Sequence, residues 1–109
     1  MRVLATPEVL EYIETLVPIL YENGYFRFED SARKYVKDLY NDIKINLPTK
    51  LHKSAPKYFD RYGKNMKYAS FIKNKHTTWY AFFNKYKENG EIIYMVRYIA
   101  NNHTIGQYL

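Results

Sequence analysis

Asn89-Gly90, set between two strongly β-prone runs, is the feature that most constrains how this chain folds. Asn-Gly is the strongest short hairpin signal, because both central residues of a type I′ turn need φ > 0. If these two residues form the whole loop, cross-strand partners sum to 179: His76 faces His103, Thr78 faces Asn101 and Phe82 faces Arg97. Directly opposed residues share one face of a sheet. One face then holds Thr78, Tyr80, Phe82, Asn84, Ile93, Met95, Arg97, Ile99, Asn101 and His103. The other holds Thr77, Trp79, Ala81, Phe83, Tyr94, Val96, Tyr98 and Ala100, with Trp79, Ala81, Phe83 and Val96 suited to packing on helices. The Arg97 face is apolar at one end and polar at the other, which fits a surface open to a ligand or a partner chain. A longer loop or a bulge undoes this pairing, because a one-residue slip sends each side chain to the opposite face.

Charge is distributed unevenly around this hairpin. Residues 1–49 hold 6 Lys/Arg and 8 Asp/Glu, whereas residues 50–109 hold 11 and 3. The net charge of +6 therefore belongs to the second half, and it favours an anionic partner: nucleic acid, an acidic protein segment or a membrane surface. No apolar run is long enough to span a bilayer and no basic amphipathic helix carries a bulky apolar face, so a membrane partner is not expected. Glu8, Glu11 and Glu14 interrupt what a signal peptide would need to keep apolar. With no cysteine, neither a disulfide framework nor a thiolate zinc site is available, and the expected location is the cytoplasm. At 109 residues and 47% hydrophobic content, the chain fits a single folded domain spanning residues 1–109.

Ahead of the hairpin the pattern is helical. Arg2 to Ala5 reads as a short strand. Thr6-Pro7-Glu8 is a helix start, with a Thr cap, Pro at the first helical position and an acid at the positive end of the dipole. Leu10, Ile13, Leu16, Val17 and Leu20 recur at helical spacing up to Asn23-Gly24, and Pro18 predicts a kink or break near Val17. A second helix is predicted from about Glu29 to Leu47 on the stripe Ala32, Tyr35, Val36, Leu39, Tyr40, Ile43 and Leu47, stopped by Pro48. Residues 49–66 read as a basic connecting segment with a short helix around Tyr58, Phe59 and Tyr62. Strands follow at about Met66–Lys73, His76–Tyr86 and Ile92–Asn101. The expected fold is α+β, in the order β-α-α-β-β-β, with an antiparallel sheet packed on a helical hairpin.

The run Thr77-Thr78-Trp79-Tyr80-Ala81-Phe82-Phe83 and the closing run Tyr94-Met95-Val96-Arg97-Tyr98-Ile99-Ala100-Asn101-Asn102-His103 resemble the RelE/ParE superfamily, as does the element order of this small basic domain. These are toxins of bacterial type II toxin–antitoxin modules. The resemblance implies a RelE-like fold and a metal-independent, ribosome-dependent endoribonuclease. In such enzymes the 2′-OH of the messenger RNA attacks the adjacent phosphate in the ribosomal A site. It implies, in the alternative, a ParE-like inhibitor of DNA gyrase. A cognate antitoxin is the implied partner in both cases, and no cofactor or metal is implied. RelE-type ribonucleases often place a His or Tyr just after the last strand; His103 holds that place, and Tyr108 lies near the C-terminus. They also place an Arg early in the preceding strand, where this chain has Thr78.

Phosphodiester cleavage needs a base for the 2′-OH, an acid for the leaving oxygen and a cation for the developing charge. His103 and His76 are candidates for acid and base, since imidazole titrates near neutrality. Arg97 is the candidate phosphate clamp. Each also has a structural reading: a strand-end cap for His103, a turn for His76, and for Arg97 an ion pair with Glu91 or a helix carboxylate. Lys53, Lys57, Arg61, Lys64, Lys67, Lys73 and Lys75 are candidate RNA contacts, as cations that steer a polyanion without reading its sequence. Tyr58, Tyr62 and Tyr68 lie among them, with packing or base stacking as possible roles. His52, His76 and His103 lack metal-ligand spacing, and no Gly-rich phosphate loop or Ser/His/Asp signature occurs. A nucleic-acid-binding module without catalysis remains the third reading.

Overall fold

In the computed structural model, which describes residues 1–109, the chain runs β1 (Arg2–Ala5), α1 (Pro7–Glu22), α2 (Glu29–Asn46), β2 (Lys53–Ser54), β3 (Lys67–Asn74), β4 (Thr77–Glu88), β5 (Glu91–Asn101) and α3 (Asn102–Ile105). Short 3-10 turns occupy Leu47–Thr49, Lys57–Arg61 and Gly106–Tyr108. The strands form one sheet in the order β1-β5-β4-β3-β2. The sheet is antiparallel from β2 to β5, but β1 joins β5 in parallel, pairing Arg2 with Ile93 through Ala5 with Val96. The architecture is thus α+β, with one parallel edge and one more strand, β2, than the sequence pattern predicts.

The helices form where their caps and stripes place them. Thr6 Oγ1 accepts from the Val9 N–H at 3.3 Å, satisfying one of the free donors of the first turn of α1. α1 continues through Pro18 without the expected break: Pro18 lies on the exposed side. α2 buries Ala32, Val36, Leu39 and Ile43, and Leu47 follows in the 3-10 turn. Together the helices cover one sheet face, where Ala69, Phe71, Trp79, Ala81, Phe83, Tyr94, Val96 and Ile99 are buried. Trp79 is packed to 1% exposure, and its indole N–H donates to the Tyr35 hydroxyl at 2.8 Å, so the burial leaves no orphan donor.

The hairpin turns at Asn89-Gly90 as expected, with φ of 53° and 78°, and Glu88 pairs with Glu91. The predicted register holds from there to Phe83–Val96. It then slips by one residue: Phe82 pairs with Tyr98, Ala81 with Ile99 and Trp79 with Asn101, so that Arg97 is the extra residue of a β-bulge. The expected pairings of Phe82 with Arg97, Thr78 with Asn101 and His76 with His103 are therefore overturned. Beyond the bulge the faces exchange. Ile99 joins the core under the helices, and Tyr98 and Ala100 go to the other side.

That other side is not an open ligand surface. Phe59, Met66, Phe82, Ala100 and Ile105 form a second buried cluster, with Ala55, Tyr58, Tyr68, Tyr80 and Tyr98 packed against it. The 3-10 turn at Lys57–Arg61 supplies its lid: the Phe59 ring stacks on Phe82 at 4.4 Å, and Tyr62 stacks on Tyr98 at 3.8 Å. Residues 49–66 are thus less a connection than half of a second core. Replacing Phe59 by Ala is expected to cost about 3–5 kcal/mol in a urea unfolding experiment, the range for a fully buried ring. A cost under about 1 kcal/mol, typical of an exposed residue, would contradict this packing.

Candidate nucleic-acid interface

The residues that the sequence singles out fall into two groups at opposite ends of β3, a strand whose eight residues span about 23 Å. Lys67 opens β3, and near it lie Lys53 on β2, Lys57 and Arg61 at the ends of the 3-10 turn, Lys64 in the following turn, and Arg97 on the adjoining bulge. Lys73 closes β3, and beyond it stand Lys75 and His76 in the β3–β4 turn and His103 in α3.

Arg97 is placed by the bulge. Its Nε–H donates to Asn84 Oδ1 at 2.6 Å, and the Asn84 amide donates to the Lys64 carbonyl at 3.0 Å, which ties β5, β4 and the 62–66 turn together. The stem of Arg97 crosses Gly63, where an added Cβ would meet its Cδ at 2.9 Å and the Met66 sulfur at 3.0 Å. A side chain at this position has no room unless Arg97 moves. Arg97 remains exposed beyond this tie, and Glu91, one partner considered for it, instead faces Arg2 at 3.6 Å.

His103 sits on the helix side of the sheet. Its backbone N–H donates to Asn101 Oδ1, which also accepts from Thr104 and so caps α3, and its Nε2 lies 3.2 Å from Thr77 Oγ1. It lines a recess of about 450 Å³ with Tyr12, Leu16, Tyr35 and Trp79. His76 is exposed in the turn, its backbone N–H held by Asn74 Oδ1 at 2.8 Å and its carbonyl by the Asn102 amide at 3.1 Å. Asn101 is four residues beyond Arg97, about 13 Å along the strand. The two histidines and the arginine are therefore not one constellation: His103 and Arg97 lie on opposite faces.

The cations differ in freedom. Lys73 is half-buried and donates to Asp42 Oδ2 at 3.0 Å, bolting β3 to α2; it is a tie and not a free phosphate contact. Lys64 stands 3.9 Å from Asp60, and Arg61 lies over the Tyr58 ring at 4.1 Å with its Nε–H on the Tyr58 carbonyl. Lys53, Lys57, Lys67 and Lys75 are exposed and have no carboxylate within ion-pair range. Burial, and then the neighbouring Tyr62, pushes the Tyr98 phenol well above its usual value, and burial raises Tyr80.

Three further residues complete the basic end: Lys85 and Asn65, which the pattern of hydrophobic and charged runs does not mark, and His52, which lies in the basic 49–66 segment. Lys85 extends past the start of β3 on the β4 arm, Asn65 turns the chain at a φ of 54°, and His52 packs edge-on to Phe83 at 4.8 Å with Nε2 2.8 Å from the Leu47 carbonyl. His52 and Lys85 come to one place only because β2 and the 3-10 turns fold residues 47–66 back along β3.

Burial works to raise the Asp42 carboxyl, but hydrogen bonds from Asn46 and Lys73 and the charges of Lys73 and Lys50 outweigh it and hold the group below its ordinary value. A carboxyl held low adds stability above its unfolded pKa of about 4, and that stability is lost as pH falls through the folded value. Lys73→Met is expected to raise the Asp42 carboxyl and to reduce the stability lost between pH 7 and pH 3, measured as the shift in urea midpoint. Equal acid sensitivity of the two proteins would contradict the tie. No protein-family model, curated protein or solved structure matches this chain.

Proposed function

We propose that the chain is a RelE/ParE-type toxin domain that engages messenger RNA on the ribosome through its basic end. The reading rests on one observation: a β-α-α-β-β-β-β order in which β1 lies beside the last strand under a helical hairpin, joined to a cluster of unpaired cations around the start of β3. The fold class supports the family resemblance, and the cations support a polyanionic target. The reading implies a cognate antitoxin as partner. No helix is long and apolar enough to cross a membrane.

Within this reading the residues divide their work. His103, with a ring nitrogen near Thr77 and an exposed position, is the candidate proton-transfer group. Arg97 stands with the binding cations, so it orients the RNA and does not share an active centre with His103. The separation of these two side chains favours a second reading, in which the same basic end holds its target without cutting it, as a gyrase inhibitor or a nucleic-acid-binding module does.

A purified translation reaction with programmed ribosomes separates them. New 5′ ends within codons are expected on adding the protein, with His103→Ala lowering the cleavage rate by about 10²–10⁴-fold, the usual contribution of a general acid or base. Arg97→Ala is expected to raise the concentration needed for half-maximal cleavage and leave the saturated rate within about threefold, as for a lost binding contact. Intact messages together with inhibition of gyrase supercoiling in a parallel assay would overturn the ribonuclease reading in favour of the second.

A further inference from the structure

Where β3 begins, the β4–β5 hairpin runs on past it: Lys67 pairs with Phe83, and residues 84–88 have no partner on β3. The notch left there is a recess of about 310 Å³ lined by His52, Asn65, Lys67, Phe83, Asn84 and Lys85. Its charged groups are cations, two lysines, beside an imidazole, and no carboxylate lines it. Neither lysine is within ion-pair range of an acid. Asp60 lines an adjoining recess of about 330 Å³, shared through Asn65 and Lys67 and lined also by Lys57.

The walls of the notch are fixed before any ligand arrives. Asn84 is held at its oxygen by Arg97 and at its nitrogen by the Lys64 carbonyl. His52 is held between the Phe83 and Tyr94 rings, and because a carbonyl only accepts, the contact to Leu47 requires the proton on Nε2. Lys85 rests over the Tyr94 ring at 5.6 Å, which limits the freedom of its stem. The Asn65 amide has no partner in the protein and is available as a donor. A cleft lined by two lysines, with carboxamides beside them and fixed walls, matches the oxygens of a phosphodiester, which carries a single negative charge and accepts from several directions.

We propose that this notch binds a backbone phosphate of a single-stranded nucleic acid, with Lys67 and Lys85 as its two cations and Asn65 as a neutral donor. The adjoining recess at Lys57 carries the strand onward. The inference rests on the nucleic-acid reading above and assigns it a contact site; Lys85 and Asn65 enter it from the geometry alone.

The test is fluorescence anisotropy with a labelled 12-nucleotide oligouridylate across a series of salt concentrations. Each lysine–phosphate contact on a single strand contributes about 0.7 to the slope of log K against log salt, equivalent to about fourfold in affinity at 0.15 M salt. Lys67→Gln and Lys85→Gln are each expected to lower the slope by about 0.7, and the double variant by about 1.4 with a roughly 15-fold weaker complex. Lys37→Gln, on the acidic half, is expected to change neither. Thermal unfolding is expected to show all three lysine variants folded, as their exposed positions predict. Slopes that match the unsubstituted protein would overturn the proposal. So would equal competition by poly-glutamate of matched charge, which would mark the notch as a site for acidic protein. The outcome is independent of cleavage: a protein that loses RNA through these variants but leaves messages intact on the ribosome keeps the phosphate site and loses the ribonuclease reading.

Discussion

Between Val96 and Tyr98 strand β5 carries one residue more than β4, and that residue, Arg97, is fastened by its Nε–H to the Asn84 carboxamide at 2.6 Å. A sheet alternates its faces with a period of two, so a single extra residue reverses everything after it. On the turn side of the bulge, Tyr94 and Val96 face the helices; on the far side, Ile99 does. Without the extra residue Tyr98 would be driven under the helices and Ile99 turned away from them. The bulge lets β5 supply an aliphatic residue to the helical core and an aromatic one to the opposite cluster.

Both faces of the sheet are therefore used for packing, which is demanding for 109 residues. The helices cover one face. The other is covered by a segment with little regular structure, whose Phe59 ring is fully buried and whose backbone turns are closed by local hydrogen bonds at Pro56–Phe59, Phe59–Tyr62 and Asp60–Gly63. This economy has a functional side. The segment that closes the second core carries Lys53, Lys57, Arg61 and Lys64, so the residues that build the lid also bring positive charge to the start of β3. Packing and charge are joined in one stretch of chain.

Much of this is legible in the sequence, and what is not has identifiable causes. Thr6-Pro7, the stripe from Ala32 to Leu47 and Asn89-Gly90 are local signals, each satisfied within a few residues, and the structure follows them. The bulge is not local in that sense. Nothing in Val96-Arg97-Tyr98 alone marks an extra residue; the slip is settled by whether Ile99 or Tyr98 fits under Trp79 and Ala81, a matter of tertiary packing. The same slip carries into the site, because a face shared by His103 and Arg97 requires an unbroken register. The 49–66 segment is illegible for another reason: its apolar residues follow neither a helical nor a strand period, since a lid of 3-10 turns has no long repeat. The half-buried Lys73–Asp42 tie joins residues 31 positions apart, and only the fold brings them together.

The separation of Arg97 from His103 turns on the register of β5 past Val96, and nuclear Overhauser contacts across the β4–β5 ladder measure it directly. The bulged sheet predicts backbone contacts between Phe82 and Tyr98, Ala81 and Ile99, and Trp79 and Asn101, with Arg97 lacking a partner on β4. Contacts between Phe82 and Arg97 and between Thr78 and Asn101 would contradict it, returning Arg97 and His103 to one face and restoring a single centre for the two.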